Sequence, residues 1–179
     1  FSPLRDAGLP EGISGIYLGG GYPELHAKSL SENTKLKSRI LEFAENANPI
    51  YAECGGFMYL MQELEDVDEN KFSMVGVFAL HARMENRFRA LGYREVQILR
   101  DCILGSYKTV CRGHEFHYSC IEKTDFQEQP VYDVIDRKGI KRSSEGYSYK
   151  KVLGSYIHLH WGSNPEIARN FLHACKVRE

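Results

Sequence analysis

The stretch "PIYAECGGFMYL", Pro49 to Leu60, places a cysteine between two apolar runs. The first run is typical of a short buried strand, and the second, after two glycines, has the composition of a helix. A nucleophile held clear of a sheet sits on a strained strand-to-helix turn that admits only small residues two positions away on either side. Ala52 and Gly56 occupy those positions around Cys54. The stretch therefore predicts a reactive Cys54, against the alternative of a cysteine that merely fills the core.

The position of Cys54 also predicts its chemistry. At the start of a helix, the positive end of the helix dipole favours the thiolate, which is the attacking form of cysteine. The free backbone N–H of Gly55 would point at the oxygen of an attacked carbonyl group. Together these features predict a nucleophile with half of an oxyanion hole.

A second glycine-rich segment, "GGGYPE", follows an apolar run that we predict as a strand from Ile13 to Leu18. A phosphate-binding loop would require a helix at once, with a lysine and a hydroxyl residue in a longer pattern, and the segment lacks these. A simple turn is the structural alternative. We interpret Gly20 and Gly21 as backbone donors that complete the oxyanion hole with Gly55.

A cysteine nucleophile needs a base or proton shuttle, normally histidine. The segment "GSYIHLHW" carries His158 and His160, and "RGHEFHYS" carries His114 and His117. Active sites of open α/β sheets lie at the carboxyl ends of strands. We therefore predict His158, near the end of a strand, as the partner of Cys54.

Metal binding is the alternative for these histidines. Residues two apart on a strand share a face, so His158 with His160, or Glu115 with His117, would suit a metal ion. No third ligand is apparent beside either pair. We therefore predict no metal and keep Glu115, His117 and His160 as secondary candidates for the site.

The order of the elements predicts an α/β fold. A strand, an amphipathic helix in "SENTKLKSRILEFAENAN" behind a capping serine, a second strand, the cysteine turn and a helix "FMYLMQEL" are typical of a mostly parallel sheet. The later runs "MVGVFAL", "YREVQIL", "KTVCRGHEFHYS" and "VYDVID" predict a more antiparallel region. One last strand is predicted in "KKVLGSYIHLHW". A last helix follows in "SNPEIARNFLHACK", with Ser163 or Asn164 as cap and Pro165 at its first position.

Composition excludes several classes of function. The 179 residues are 42% hydrophobic with a formal net charge of -1, which predicts one compact domain without a basic surface for nucleic acid or anionic membrane. The five cysteines form no CxxC pair and favour a reducing, cytoplasmic location. No apolar run reaches the roughly 18 residues of a membrane helix. A small molecule or another protein is the expected partner.

The motifs "IYLGGGYPEL", "PIYAECGGFMYL", "LGYREV", "RGHEFHYS" and "YIHLHWGSNP", in this order, resemble the class I glutamine amidotransferases. Within that class, the chain is similar to the glutaminase domains of cobyrinic acid a,c-diamide synthases along its whole length, residues 1–179. The resemblance implies a three-layer, flavodoxin-like fold with a mostly parallel central sheet. It also implies a C-terminal fragment of a longer synthetase that starts inside the glutaminase domain and lacks its first strand and helix.

The resemblance further implies a glutamine-hydrolysing amidotransferase, a carbon–nitrogen ligase with glutamine as nitrogen donor. Cys54 and His158 would release ammonia through a thioester, and Arg87 in "MENRFRALGY" would hold the α-carboxylate of glutamine, unless it is a solvated arginine. The class usually has a glutamate where this chain has His160. A Cys54–His158 dyad is therefore expected, with Glu115 or Glu166 as weaker candidates to orient the histidine.

The partner implied by the resemblance is an N-terminal synthetase domain of the same polypeptide. That domain would use ATP and magnesium to activate the a and c carboxylates of a tetrapyrrole, and no cofactor is expected in the glutaminase domain itself. Cobyrinate is the expected acid, with hydrogenobyrinate and nickel sirohydrochlorin as alternatives. Two other hypotheses are a cysteine hydrolase of the same fold and a non-catalytic binding domain.

Overall fold

The structure is a computed structural model, and it describes residues 1–123 and 129–176. Thirteen strands are numbered in chain order over these residues: β1 Ile16–Leu18, β2 Ile50–Glu53, β3 Met61–Glu65, β4 Lys71–Ser73, β5 Phe78–Met84, β6 Ala90–Ile98, β7 Val110–His117, β8 Ser119–Lys123, β9 Tyr132–Asp136, β10 Lys141–Glu145, β11 Tyr147–Tyr149, β12 Val152–Ser155 and β13 Ile157–Leu159. The α-helices are α1 Ala27–Glu32, α2 Thr34–Glu45, α3 Gly55–Leu60 and α4 Pro165–Lys176, with short 3-10 helices at Pro23–His26 and Trp161–Ser163. None of the helices in the described part of the chain is long and apolar enough to cross a bilayer.

A four-stranded sheet forms the centre of the molecule, in the order β1-β2-β12-β11. β1, β2 and β12 are parallel, and β11 is antiparallel to β12. Successive side chains of a strand point to opposite faces. Ile50 and Ala52 accordingly enter one hydrophobic core, whereas Tyr51 enters another. The predicted α/β architecture with a parallel central sheet is confirmed.

The helices cover the two faces of this sheet. Leu36, Ile40 and Ala44, spaced four residues apart, form the buried side of α2 and pack into the first core. Ile167 of α4 is buried in the second core, and Phe171 packs against it. The amphipathic patterns of both helices thus correspond to the layers around the sheet.

Apart from β11 and β12, the strands after α3 form two further sheets, which are mostly antiparallel as predicted. One has the order β4-β3-β5-β8 and the other β10-β9-β6-β7-β13. The parallel pair β3–β5 is the exception in the first of them. The second sheet brings β7, with its two histidines, beside β13, with His158.

Three predicted elements are wrong in part. "MVGVFAL" contributes only its last three residues, Phe78–Leu80, to β5. "FMYLMQEL" is not one helix, because α3 ends at Leu60 and Met61–Glu65 form β3, paired with β4 and β5. A short apolar run fits the helix pattern and the strand pattern equally well. Pairing with distant strands therefore decides which of the two structures forms. "KKVLGSYIHLHW" is not one strand either, since β12 lies in the central sheet and β13 in the β6–β7 sheet.

The helix starts also differ in detail. Ser31 lies inside α1, and Asn33 caps α2 by accepting a hydrogen bond from the Leu36 N–H at 3.3 Å. α4 does begin at Pro165, and Asn164 Oδ1 accepts the Glu166 N–H at 3.1 Å. The first strand is shorter than predicted, since β1 begins at Ile16.

Candidate active site

Cys54 occupies the turn between β2 and α3 in a strained conformation. Its φ and ψ are 47° and -105°, a region that residues with a side chain rarely adopt. The backbone around it is tied on both sides, since the Cys54 N–H donates to the Ser155 carbonyl at 2.8 Å and its carbonyl accepts the Met58 N–H at 2.9 Å. The predicted strand-to-helix turn is therefore present, with β12 holding it in place.

Gly55 and Gly56 lie so close to the backbone of the loop after β1 that a side chain would not fit at either position. A Cβ atom on Gly55 would lie 2.6 Å from the Gly21 carbonyl oxygen, and one on Gly56 would lie 2.5 Å from the Leu18 carbonyl oxygen. The Gly56 N–H also donates to the Gly19 carbonyl at 3.1 Å. The loop after β1 is thus packed directly against the cysteine turn.

Gly21 and Gly55, two of the predicted oxyanion-hole residues, lie against each other. The third, Gly20, contacts the His158 ring. Gly21 lines the cavity that contains Cys54, and its backbone faces Gly55. Gly20 packs against His158, because a Cβ atom on Gly20 would lie 2.2 Å from Cε1 of the imidazole. The absence of a side chain at Gly20 therefore makes room for the histidine ring.

A cavity of about 740 Å³ opens in front of Cys54. His158 lines the same cavity, so the structure brings the predicted pair to one site. Its polar side chains come from β7, β13 and the first 3-10 helix, and its apolar side chains come from α3, β5, β6 and β7. The lining side chains besides Cys54 and His158 include Glu24, His114, Glu115, His117, Met58, Met84, Leu91, Tyr93 and Tyr118.

The surroundings of Cys54 favour its protonated form. Burial raises its pKa to about 12, the interaction with the Gly55 N–H opposes this increase, and the carboxylates of Glu24, Glu53 and Glu145 add to it. The Gly55 N–H at the helix start acts in the predicted direction, but burial outweighs it, so the predicted thiolate is wrong. Within the described residues the Cys54 thiol donates to the Phe116 carbonyl, at 3.6 Å, rather than to His158.

His158 is a half-buried residue on β13. Burial lowers its pKa, and the neighbouring His114 and His117 lower it further. A neutral imidazole is the form that accepts a proton, so this environment suits a base. His158 reaches the site because β12 runs parallel to β2 and the chain continues into β13 just beyond the same edge.

Glu53 connects β2, which precedes Cys54, to β13, which carries His158. The sequence did not predict it as a site residue. Its carboxylate accepts the hydroxyls of Tyr17 and Tyr51, both at 2.7 Å, and the Leu159 N–H at 2.8 Å. Burial raises its pKa, and these three hydrogen bonds oppose that increase. A carboxylate at the end of the otherwise apolar run "IYAE" was the available signal, since buried charge is rare unless it is paired.

The weaker candidates for orienting His158 have other partners. Glu115 accepts the Arg94 Nε–H at 2.7 Å and lies 3.0 Å from His117 Nε2. Burial acts to raise the pKa of Glu115, but the hydrogen bonds from His117 and Arg94 hold it below its usual range. Glu166 is exposed on α4 and forms an ion pair with Arg169.

Four of the predicted site residues, Gly20, Gly55, Arg87 and His160, lie outside the cavity lining. His160 is exposed and lies just beyond the end of β13, so it is not part of the strand that carries His158. Arg87 is exposed in the connection between β5 and β6. Both flanking strands contribute to the cavity, through Met84 and Leu91. Among residues 1–123 and 129–176, no group of three or more His, Cys, Asp or Glu side chains is arranged to hold a metal ion.

Comparison with known proteins gives one family and a set of relatives. The model of the CobB/CobQ-like glutamine amidotransferase domain matches residues 1–166. The chain is 41% identical over 179 residues to a cobyrinate a,c-diamide synthase of Dehalococcoides mccartyi, covering 98% of this chain and 38% of that protein. It is 42% identical over 176 residues to one of Leptospira interrogans, with the same coverage. The chain thus spans about 38% of the length of these curated relatives.

Solved structures share the fold. A crystal structure of a glutamine amidotransferase superimposes with a TM-score of 0.61 at 17% identity, covering 93% of this chain and 82% of that one. The PurLQS structure from Thermotoga maritima gives a TM-score of 0.61 at 15% identity, covering 97% and 84%. At these identities the likeness concerns the arrangement of the elements alone.

Proposed function

The chain belongs to the CobB/CobQ-like glutamine amidotransferase domain family, and on that premise we propose that Cys54 and His158 hydrolyse the side-chain amide of glutamine. The observation that carries the proposal is the strained Cys54, on a strand-to-helix turn, facing a cavity that His158 also lines. A buried cysteine held in an unfavourable backbone conformation is costly, and such strain is concentrated at functional sites.

The protonation states support a concerted first step. The Cys54 pKa is raised to about 12 and that of His158 is lowered, so thiol and neutral imidazole are the resting forms. As the sulfur attacks the amide carbon, the thiol proton passes to His158. The carbonyl oxygen becomes an oxyanion, which the N–H groups of Gly55 and Gly21, with Gly20, would stabilise.

The remaining steps use the same groups. His158 returns the proton to the amide nitrogen as the carbon–nitrogen bond breaks, which releases ammonia and leaves a thioester on Cys54. Water, deprotonated by His158, then attacks the thioester, and glutamate leaves as the thiol is restored. Each cycle consumes one glutamine and one water and yields one glutamate and one ammonia.

The ammonia would serve a second domain of a longer polypeptide. The curated relatives are more than twice the length of this chain, and they carry the name cobyrinate a,c-diamide synthase. We propose an N-terminal synthetase domain as partner, using ATP and magnesium to activate the a and c carboxylates of cobyrinate. Hydrogenobyrinate and nickel sirohydrochlorin remain alternative substrates. Leu91 and Tyr93, which are 66% and 78% exposed beside the cavity, are suited to a contact with that domain.

Labelling with a glutamine-analogue electrophile tests the proposed nucleophile. We expect one covalent adduct, on Cys54, when the labelled protein is digested and mapped by mass spectrometry. Excess glutamine should protect the site, because the electrophile has to occupy the same cavity. Labelling at another cysteine, or no labelling together with no glutamate formed, would refute the mechanism.

Arg87 is proposed to bind the α-carboxylate of glutamine. Guanidinium groups pair with carboxylates in a bidentate geometry, and Arg87 lies between two strands that line the cavity. We expect Arg87→Ala to raise the KM for glutamine on the order of 10-fold or more, with a much smaller change in kcat. Steady-state glutamate formation measures both constants.

Arg89→Ala is the matched control, since Arg89 is exposed in the same connection and lies 4.0 Å from Glu85. The control should keep the KM of the parent chain. Equal constants for Arg87→Ala and the parent would remove Arg87 from the proposed site.

A further inference from the structure

His114 and His158 form a stacked pair at the edge of the cavity. The two residues are direct cross-strand partners in the antiparallel pairing of β7 with β13. Side chains of such partners lie on the same face of a sheet at short distance. Their imidazole rings are parallel within 8°, with centroids 4.5 Å apart. The register of the two strands thus places a flat ring directly against the ring of His158.

Two glycines allow this arrangement. A Cβ atom on Gly113 would lie 2.1 Å from the His158 carbonyl oxygen, so β7 approaches β13 closely only without a side chain there. Gly20 leaves room at the Cε1 edge of the His158 ring. The ring is therefore bounded by His114 on one face and by the glycine loop at its edge.

Within the described residues, no carboxylate orients the His158 ring through a hydrogen bond. In catalytic triads, an acidic residue accepts a hydrogen bond from the histidine and fixes the orientation of its ring. Among the described residues, the nearby carboxylates of Glu53 and Glu115 bind tyrosines, Arg94 and His117 instead of His158. Parallel stacking joins the two histidines through their faces, so orientation depends on packing.

We propose that His114 is a positioning residue: the face of its ring holds the imidazole of His158 in the orientation that exchanges a proton with Cys54. The inference rests on the proposed function, in which His158 is the base. His114 is itself exposed, so its contribution to the stability of the core is small. Because the stacking contributes little to the stability of the core, we infer that it serves to orient His158.

The stack also has an electrostatic consequence. Two imidazoles in face contact repel each other when both are protonated, so His114 favours the neutral, proton-accepting form of His158. Burial and His114 both lower the pKa of His158. The other titratable groups that line the cavity are Tyr22, Glu24, Cys54, Tyr93, Glu115, His117 and Tyr118, and Glu53 lies at the end of β2.

Three substitutions separate stacking from charge. His114→Ala removes the ring, His114→Gln keeps polarity and approximate size without the ring, and His114→Phe keeps a flat ring without a titratable group. His173→Phe, at an exposed position on α4, is the matched control. Glutamine hydrolysis is measured against pH, thermal unfolding reports folding, and the His158 ring signal in NMR reports its titration independently of activity.

If the ring contact positions His158, the His114 variants should differ in kcat for glutamine hydrolysis in a defined order. We expect kcat to fall on the order of 10- to 100-fold in His114→Ala and His114→Gln, with little change in KM, because a base displaced by a fraction of an ångström transfers protons poorly. His114→Phe should recover most of the loss. The interaction with His114 lowers the pKa of His158, so its removal should raise that pKa and move the acidic limb of the kcat/KM profile to higher pH.

The outcomes are distinguishable from those of the proposed function. If His114→Phe is as impaired as His114→Gln while both are folded, or if all three variants match the parent in kcat and in the His158 titration, His114 has no positioning role. A parent chain that is not labelled at Cys54 and forms no glutamate would refute the function itself. The His158 titration in the parent and His114→Phe would still decide whether the two rings interact. Should His114→Ala fail to fold, the comparison of His114→Gln with His114→Phe decides the proposal.

Discussion

Cys54→Ser is expected to lower glutamine hydrolysis on the order of a thousandfold or more. The serine hydroxyl would occupy the same strained turn, but an alcohol is far harder to deprotonate than a thiol. The burial that raises the Cys54 pKa to about 12 would disfavour an alkoxide in the same way. Glutamate formation by the purified protein measures this loss.

In the proposed longer synthetase, the same substitution should leave ammonia-dependent amidation intact, because free ammonia bypasses the cysteine. Cys175→Ser is the matched control, as Cys175 lies on α4 beside Gly15 and away from the cavity. It should retain glutamine hydrolysis. Loss of both glutamine-dependent and ammonia-dependent amidation in a folded Cys54→Ser protein would instead assign Cys54 a structural role.

Gly55→Ala is expected to lower kcat on the order of 100- to 1000-fold, the effect of losing one oxyanion donor. The added Cβ would lie 2.6 Å from the oxygen, 2.7 Å from the nitrogen and 2.9 Å from the carbonyl carbon of Gly21. All three atoms are backbone, so the glycine loop has to move away from Cys54. The N–H of Gly21 would then leave the position proposed for it.

Gly19→Ala is the matched control within the same loop. A Cβ there would meet only the Tyr17 hydroxyl, at 3.9 Å, which is ordinary contact. It should keep parent kinetics and a parent melting temperature, whereas Gly55→Ala should lower both kcat and Tm. A Gly55→Ala protein with unchanged kcat would remove the loop from the proposed oxyanion hole.

The local features of the site could be predicted because they depend on neighbours in the chain. Small residues around Cys54 permit the strained turn, and the two glycines after it meet the loop that follows β1. The cap and proline at the start of α4 are equally local. Each of these patterns spans a few residues, within which sterics and hydrogen bonding limit the backbone.

The predictions failed for features that depend on contacts with distant parts of the chain. The thiolate of Cys54 was predicted from the helix start alone, whereas its protonated state follows from burial under several elements. Met61–Glu65 were predicted as helix, but pairing with β4 and β5 makes them a strand. Local pattern carries no information on either the depth of burial or the choice of strand partner.

By itself the sequence predicted that Cys54, the glycine loop and His158 form one candidate site, and the structure places Cys54, Gly21 and His158 around the same cavity. Tertiary structure alone decided which groups surround them: the Leu159 N–H that binds Glu53 comes from 106 positions along the chain. The stacking of His114 on His158 likewise depends on the register of β7 and β13. A shift of one residue would turn either side chain to the other face, and register is set by packing of whole sheets rather than by neighbouring residues.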